Sequence, residues 1–225
     1  VSDLLARHVW HALTTRQAHF AEGTGRARRF VADISPFAAT ADDSPEAVAD
    51  LGRLIPAGGS AILLQAEPTP FPEGVTGEGG YLGVQMVARS VTAPEPSPDV
   101  IDLGDGAAAE MLALATLTQP GPFQVRTHLM GNFVGIRRDG RLVAMAGERM
   151  KLPGYTEVSA VCTHPDERRR GFASLLSRVV SARIMARGET PFLHAFASNH
   201  AAIRLYEKLG FVHTRKVWGA FLKRA

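Results

Sequence analysis

One segment constrains this chain more than any other: Val161 to Ala173, V-C-T-H-P-D-E-R-R-R-G-F-A. A strand-like run, Tyr155 to Val161, leads into it, and an amphipathic helix leads out. At the junction Arg168, Gly171 and Ala173 form an R-x-x-G-x-A pattern. A turn of this kind aims several backbone N–H groups outward. The positive end of the following helix adds to them, which suits a phosphate or diphosphate. Two other anion loops are excluded: there is no G-x-x-x-x-G-K-[ST] for a nucleoside triphosphate and no G-x-G-x-x-G for a dinucleotide.

The elements around this junction are legible from pattern. Two Pro/Gly-rich stretches punctuate the 225 residues. Glu67 to Gly80 reads as a long loop. Thr92 to Asp99, T-A-P-E-P-S-P-D, reads as a stiff extended linker. A domain boundary is expected there: 1–92 as a small α/β unit without a cofactor loop, 93–99 as linker, and 100–225 as the second domain. In the first part, Leu4 to Leu13 reads as a helix, and Ser44-Pro45-Glu46 starts another with serine at the N-cap and proline at N1. Ala61 to Leu64 and Tyr81 to Val87 read as strands. In the second part, Val100 to Leu103 is a strand and Asp105 is placed to cap a helix over 107–117. Asn132 to Arg138 and Arg141 to Met150 form a hairpin about Asp139-Gly140. Tyr155 to Thr163 is the next strand, and the helix Phe172 to Arg187 carries an apolar stripe from Phe172 to Ile184. Pro191 to Ala197 is a strand, Ala201 to Leu209 a helix closed by Gly210, and Phe211 to His213 a strand. Trp218 to Leu222 is a candidate last one. This order implies an α/β (α+β) chain with a mixed sheet flanked by helices.

The loop at 168–173 after S-A-V-C-T, followed by N-H-A-A-I-R-L-Y-E-K-L-G-F at 199–211, makes residues of about 100–222 resemble the GNAT superfamily of acetyl-CoA-dependent N-acetyltransferases. The whole chain resembles two-part members, akin to the glycine N-acyltransferase branch, whose first half is a degenerate GNAT-like domain. The resemblance implies a mostly antiparallel central sheet and acetyl-CoA as acetyl donor. It assigns the cofactor's diphosphate to the loop of Arg168, Arg169, Arg170, Gly171, Phe172, Ala173 and Ser174. Ala173 stands where a second glycine is frequent in the family. The resemblance also implies that the strand segment Val161, Cys162 and Thr163 splays from its neighbour and receives the pantetheine arm, with Asn199 contacting that arm. Asn199 equally suits a helix N-cap, and the two roles are compatible.

Attack by an amine needs a proton removed from the nitrogen and one delivered to the leaving thiolate. The resemblance makes Glu157, fourteen residues before Gly171, the candidate base, acting directly or through water; the alternative is an ordinary strand-edge glutamate. Period-two alternation puts it on one face with Ser159, Val161 and Thr163. Tyr206, four residues before Gly210, corresponds by resemblance to the family's proton-donating tyrosine and is the candidate acid; the alternative is a core tyrosine packed with Ala202, Leu205 and Leu209. Cys162 reads as a small packed hydrophobe with a useful backbone amide rather than as a nucleophile.

Charge and composition narrow the partners. Residues 1–100 hold 7 Lys+Arg against 12 Asp+Glu, and residues 101–225 hold 18 against 10. The basic half is the half with the anion loop, which suits an anionic small molecule. No aromatic-interleaved basic stripe points to nucleic acid. No apolar run has the length of a membrane span, and the opening V-S-D-L-L-A-R-H lacks the layout of a secretory signal. The single cysteine fits a reducing cytoplasm, and the eight histidines show no metal-ligand spacing, so no metal is expected. The acceptor is expected to be a small-molecule or amino-acid-like amine; Arg126 and Arg149 read first as solvated surface arginines and second as candidate partners for a carboxylate. A longer acyl chain, a non-catalytic acyl-CoA-sensing module and a homodimer are left open.

Overall fold

In a computed structural model, residues 3–225 are described. Val1 and Ser2, which open the amino-terminal segment read above, lie outside the described residues. Helix α1 (His8–Thr14) comes first, one turn shorter at its start than expected. Strands β1 (Ala21–Glu22), β2 (Ala27–Phe30) and β3 (Ala38–Thr40) form a small antiparallel sheet. Helix α2 (Pro45–Leu54) begins where the sequence signals it, the Ser44 hydroxyl accepting from the Ala47 N–H at 3.2 Å. Strands β4 (Ser60–Gln65) and β5 (Val75–Ala88) end the first half.

The second half runs β6 (Val100–Leu103), α3 (Ala108–Thr118), β7 (Phe133–Arg138), β8 (Arg141–Leu152) and β9 (Tyr155–Thr163). Helix α4 (Phe172–Ala186), β10 (Thr190–Phe196), α5 (His200–Lys208) and β11 (Phe211–Arg224) follow. Asp139 and Gly140 take φ of 50° and 77°, the two left-handed positions that a tight hairpin turn requires. Asp105 does not cap α3: it starts a separate short 3-10 turn, and no side chain bonds the helix N-terminus. Phe211–His213 and Trp218–Leu222 belong to one strand, its pattern broken by bulges at His213/Arg215 and Gly219/Phe221.

The main sheet has the order β4-β11-β5-β10-β9-β8-β7-β6, antiparallel throughout except for the β9–β10 pair. β5, from the first half, is hydrogen-bonded on both sides by strands of the second half. The stretch 93–99 therefore links two parts of one sheet instead of separating two sheets. Part of the glycine-rich segment expected as a loop, from Val75 onward, is strand β5. The ring of Phe71 lies directly over Gly77, 2.0 Å from where a Cβ there would be.

Helices cover both faces. α4 packs Leu176, Val180 and Ile184 on Val134, Ala146, Val158 and Leu193. α1 packs Val9 and Leu13 against Met150, Phe192 and Val217, while α3 packs Met111 and Leu114 against Phe133 and Met145. Adjacent strand residues point to opposite faces, so Phe192 against Leu193 and Phe133 against Val134 place α1 and α3 opposite α4.

Candidate active site

The site begins as a fork in the sheet. β9 and β10 pair only at Thr190↔Tyr155, Pro191↔Thr156 and Phe192↔Glu157, and then part, while β10 stays on β5 as far as Phe196↔Gly83. The cause lies in β9. Cys162 opposes Met145 and Ser159 opposes Gly147, so β9 carries one extra residue, and Ala160 sits at φ 52°. Such a bulge bends a strand and re-aims its side chains. It also overturns the expected alternation. Beyond the bulge Ala160 and Cys162 pack with α3, while Val161 packs on the α4 side with Val158, so Glu157 and Val161 do not share a face.

Past β9 the chain makes the anion loop. Arg169 and Gly171 both adopt positive φ, 67° and 80°. Among the described residues, no backbone carbonyl accepts from the amides of Arg169, Arg170, Gly171, Phe172, Ala173 or Ser174. A Cβ on Gly171 would meet nothing within 4 Å. Free amides, an open cradle and a helix N-terminus are the donor set that a diphosphate fits. The side chains of Arg168 and Arg169 are exposed, Arg170 pairs with Glu167 at 3.0 Å, and Phe172 is buried beneath. These residues, with Val161, Cys162, Thr163, Thr118 and Asn199, line a cavity of about 620 Å³.

A second cavity, of about 180 Å³, lies in the fork. Gln119, Pro120, Val161, Asn199 and Ala202 line both, so the two spaces adjoin. Asn199 is also the N-cap of α5, its Oδ1 accepting from the Ala202 N–H at 3.1 Å. Tyr206, one turn further on, lines the second cavity. Burial, with Cys162 nearby, pushes its phenol up to about 12, so it keeps its proton at neutral pH. The Cys162 thiol is itself pushed up to about 11 by burial and stays protonated.

Glu157 is placed differently from a base that meets an amine. It is fully buried and does not line the cavity. Its carboxylate accepts from Arg149 Nε and Nη2 at 2.8 Å each and lies 2.7 Å from His194 Nδ1. Burial alone would raise this carboxyl, but Arg149 and then His194 outweigh it and hold it well below the usual carboxylate range. A carboxylate so held is a weak proton acceptor. Arg149 instead faces the cavity, its guanidinium 5.0 Å above the Phe37 ring, whereas Arg126 lies at the surface paired with Asp33 at 3.0 Å.

His194, Tyr81, Phe37 and the turn Gln119–Pro122 also line the second cavity, and no local sequence pattern marks them as site residues. A signal for the Arg149–Glu157 pair was available: counting back from the Pro153-Gly154 turn brings the two within one residue of facing each other. Among the described residues no cluster of His, Cys, Asp or Glu could hold a metal ion, and no helix is long and apolar enough to cross a membrane.

Residues 133–218 match the family model described as FR47-like protein. A crystal structure from Novosphingobium aromaticivorans, of a protein assigned to the acetyltransferases of the GNAT family, is 40% identical. It superimposes with a TM-score of 0.94, covering 100% of both chains. A GCN5-related N-acetyltransferase from Kribbella flavida shares the fold at 19% identity, with a TM-score of 0.65 over 100% of this chain and 96% of that one. No curated protein matches the chain.

Proposed function

Since the chain belongs to the GNAT family and is an acyltransferase, we propose that it moves an acetyl group from acetyl-CoA to a primary amine by direct attack in a ternary complex. One observation carries this reading: a cradle of six free amides around Gly171 adjoins, through Val161 and Asn199, a cavity that contains the protonated Tyr206. The amides of 169–174 hold the diphosphate, and Arg168 to Arg170 add positive field at the rim. The edge of Val161–Thr163 that β10 leaves unpaired serves the extended arm, and Asn199 borders it. Acetyl-CoA, when bound, supplies the thioester whose C–S bond breaks as the amine nitrogen forms its C–N bond, giving an acetamide and the free thiol.

Tyr206 holds a proton at Oη for the departing sulfur, and the proton lost by the amine leaves through water and replaces it. Glu157 acts as a positioning residue that fixes Arg149 and His194, and it does not receive the proton itself. The placement beside the glycine N-acyltransferase-like branch, which rests on a smaller first half before the catalytic one, belongs to this proposal. Thiol release from acetyl-CoA with a panel of amines tests it, with longer acyl-CoA donors run alongside to define chain length. Tyr206→Phe is expected to lower kcat about a hundredfold while the calorimetric Kd for CoA stays nearly unchanged. Unaltered turnover in that variant removes Tyr206 from the chemistry.

A further inference from the structure

Arg149 has donors that Glu157 does not use. A guanidinium carries two forked edges. Glu157 occupies the edge made by Nε and Nη2, leaving the terminal edge of Nη1 and the second Nη2 hydrogen. Among the described residues Nη1 has no hydrogen-bond partner. It lies 3.9 Å from where a Cβ on Gly121 would stand, and Gly121 lines the acceptor cavity. The residue is 7% exposed, so this edge faces the cavity and not bulk water. Much of the remaining wall is apolar or aromatic: Leu64, Tyr81, Phe196 and Val217. Tyr81 and Phe196 meet edge to face at 5.0 Å.

We propose that the terminal edge of Arg149 binds a carboxylate on the acceptor, which is thus an amine carrying both a carboxylate and an apolar group. The assignment rests on the acyl-transfer reading above and names its substrate class. Two parallel N–H donors match the two oxygens of one carboxylate, whereas a single carbonyl oxygen would leave a buried donor unpaired. Glu157, whose charge would oppose a second anion, is also engaged by His194 Nδ1 and by the Met150 N–H at 3.4 Å. Arg149 cannot lose its proton, so the edge is a donor at every working pH.

The test compares glycine, leucine and phenylalanine with their amides and with the corresponding decarboxylated amines. Thiol release from acetyl-CoA is measured, and rates are referred to the free-amine fraction. The wild type is expected to prefer an acid over its amide by about tenfold or more in kcat/KM, mostly through KM. In Arg149→Lys, which keeps the charge but loses the fork, that preference should collapse towards unity. A second readout needs no turnover: the N-acetyl acid should raise the wild-type Tm more than its amide does. Amides or simple amines used as well as acids overturn the carboxylate assignment and leave acyl transfer standing. Preferential stabilisation by the N-acetyl acid with no thiol release from any amine does the reverse. If no acid is either preferred or stabilising, the assignment fails, whether or not the lysine variant folds.

Discussion

Two buried ionisable groups around the fork, Glu157 and His8, are held in defined states by their surroundings, and each makes a measurable demand. Glu157→Gln removes the charge facing Arg149, whose guanidinium is then an uncompensated buried cation. The variant should lose about 3–5 kcal/mol in urea denaturation. A loss below about 1 kcal/mol would mean that the pair is looser than its two 2.8 Å bonds indicate. His8 is fully buried, its ring 4.3 Å from that of His194. Burial first, and then His194, hold its pKa well below the ordinary 6.5. Folded His8 stays neutral while the unfolded chain binds a proton, so stability is full above the ordinary value and falls as pH drops below it. The Glu157 contribution has the same sign at lower pH, being present above the ordinary carboxyl value and lost beneath it. Urea midpoints between pH 7.5 and 5.5 should therefore decline in the wild type. His8→Phe should flatten that decline, which cannot exceed about 1.4 kcal/mol per pH unit for one proton. An unchanged slope would assign the acid sensitivity elsewhere.

At the scale of elements, the strand–loop–helix junction was legible because its signals are local: Gly171 for a left-handed turn, Asp139-Gly140 for the hairpin, and Ser44-Pro45 for a helix start. Gly171→Ala places a Cβ in open space at φ 80°. Folding should suffer by only about 1–2 kcal/mol, while CoA binding by calorimetry weakens about tenfold or more. Equal binding would empty the cradle of its proposed role. What sequence could not carry was the bulge at Ala160, because an alanine in left-handed backbone has no composition signal. Without it the alternation from Glu157 runs straight to Thr163, and the fork has no cause. Arg149 looked like a solvated surface charge for a related reason, since its burial depends on α1 and Phe37, far away in the chain. A β-branched side chain is poorly tolerated at φ 52°. Ala160→Val should lower both stability and kcat/KM, and a thermal melt beside the thiol assay would show the two falling together.

The whole molecule is tied through β5. The glycines of G-E-G-G hid the start of this strand, and the proline run after it suggested a boundary that the sheet does not observe. β5 brings Val84 and Met86 to the cluster under α4 and separates β10 from β11, while α1 of the first half covers Phe192 and Val217. Arg178 of α4 also holds the linker, donating to the carbonyls of Thr92 and Ala93 at 2.9 and 3.2 Å. A fragment 100–225 would thus expose three strand edges, one on β10 and both on β11, and an uncovered apolar face, a combination that favours aggregation over folding. Expressed alone, it should show no cooperative melt. A protease site placed between Ala93 and Asp99, cut after folding, should instead leave two pieces that co-elute and still release thiol. The second cavity, proposed to take the acceptor, makes the stricter demand, because Phe37, Leu64 and Tyr81 of its wall come from the first half. Even a fragment that kept the loop and bound CoA would lack this part of the wall around the proposed acceptor. A sharp melt together with wild-type turnover from 100–225 would show that the halves are independent and that the cavity wall drawn from 1–92 is dispensable.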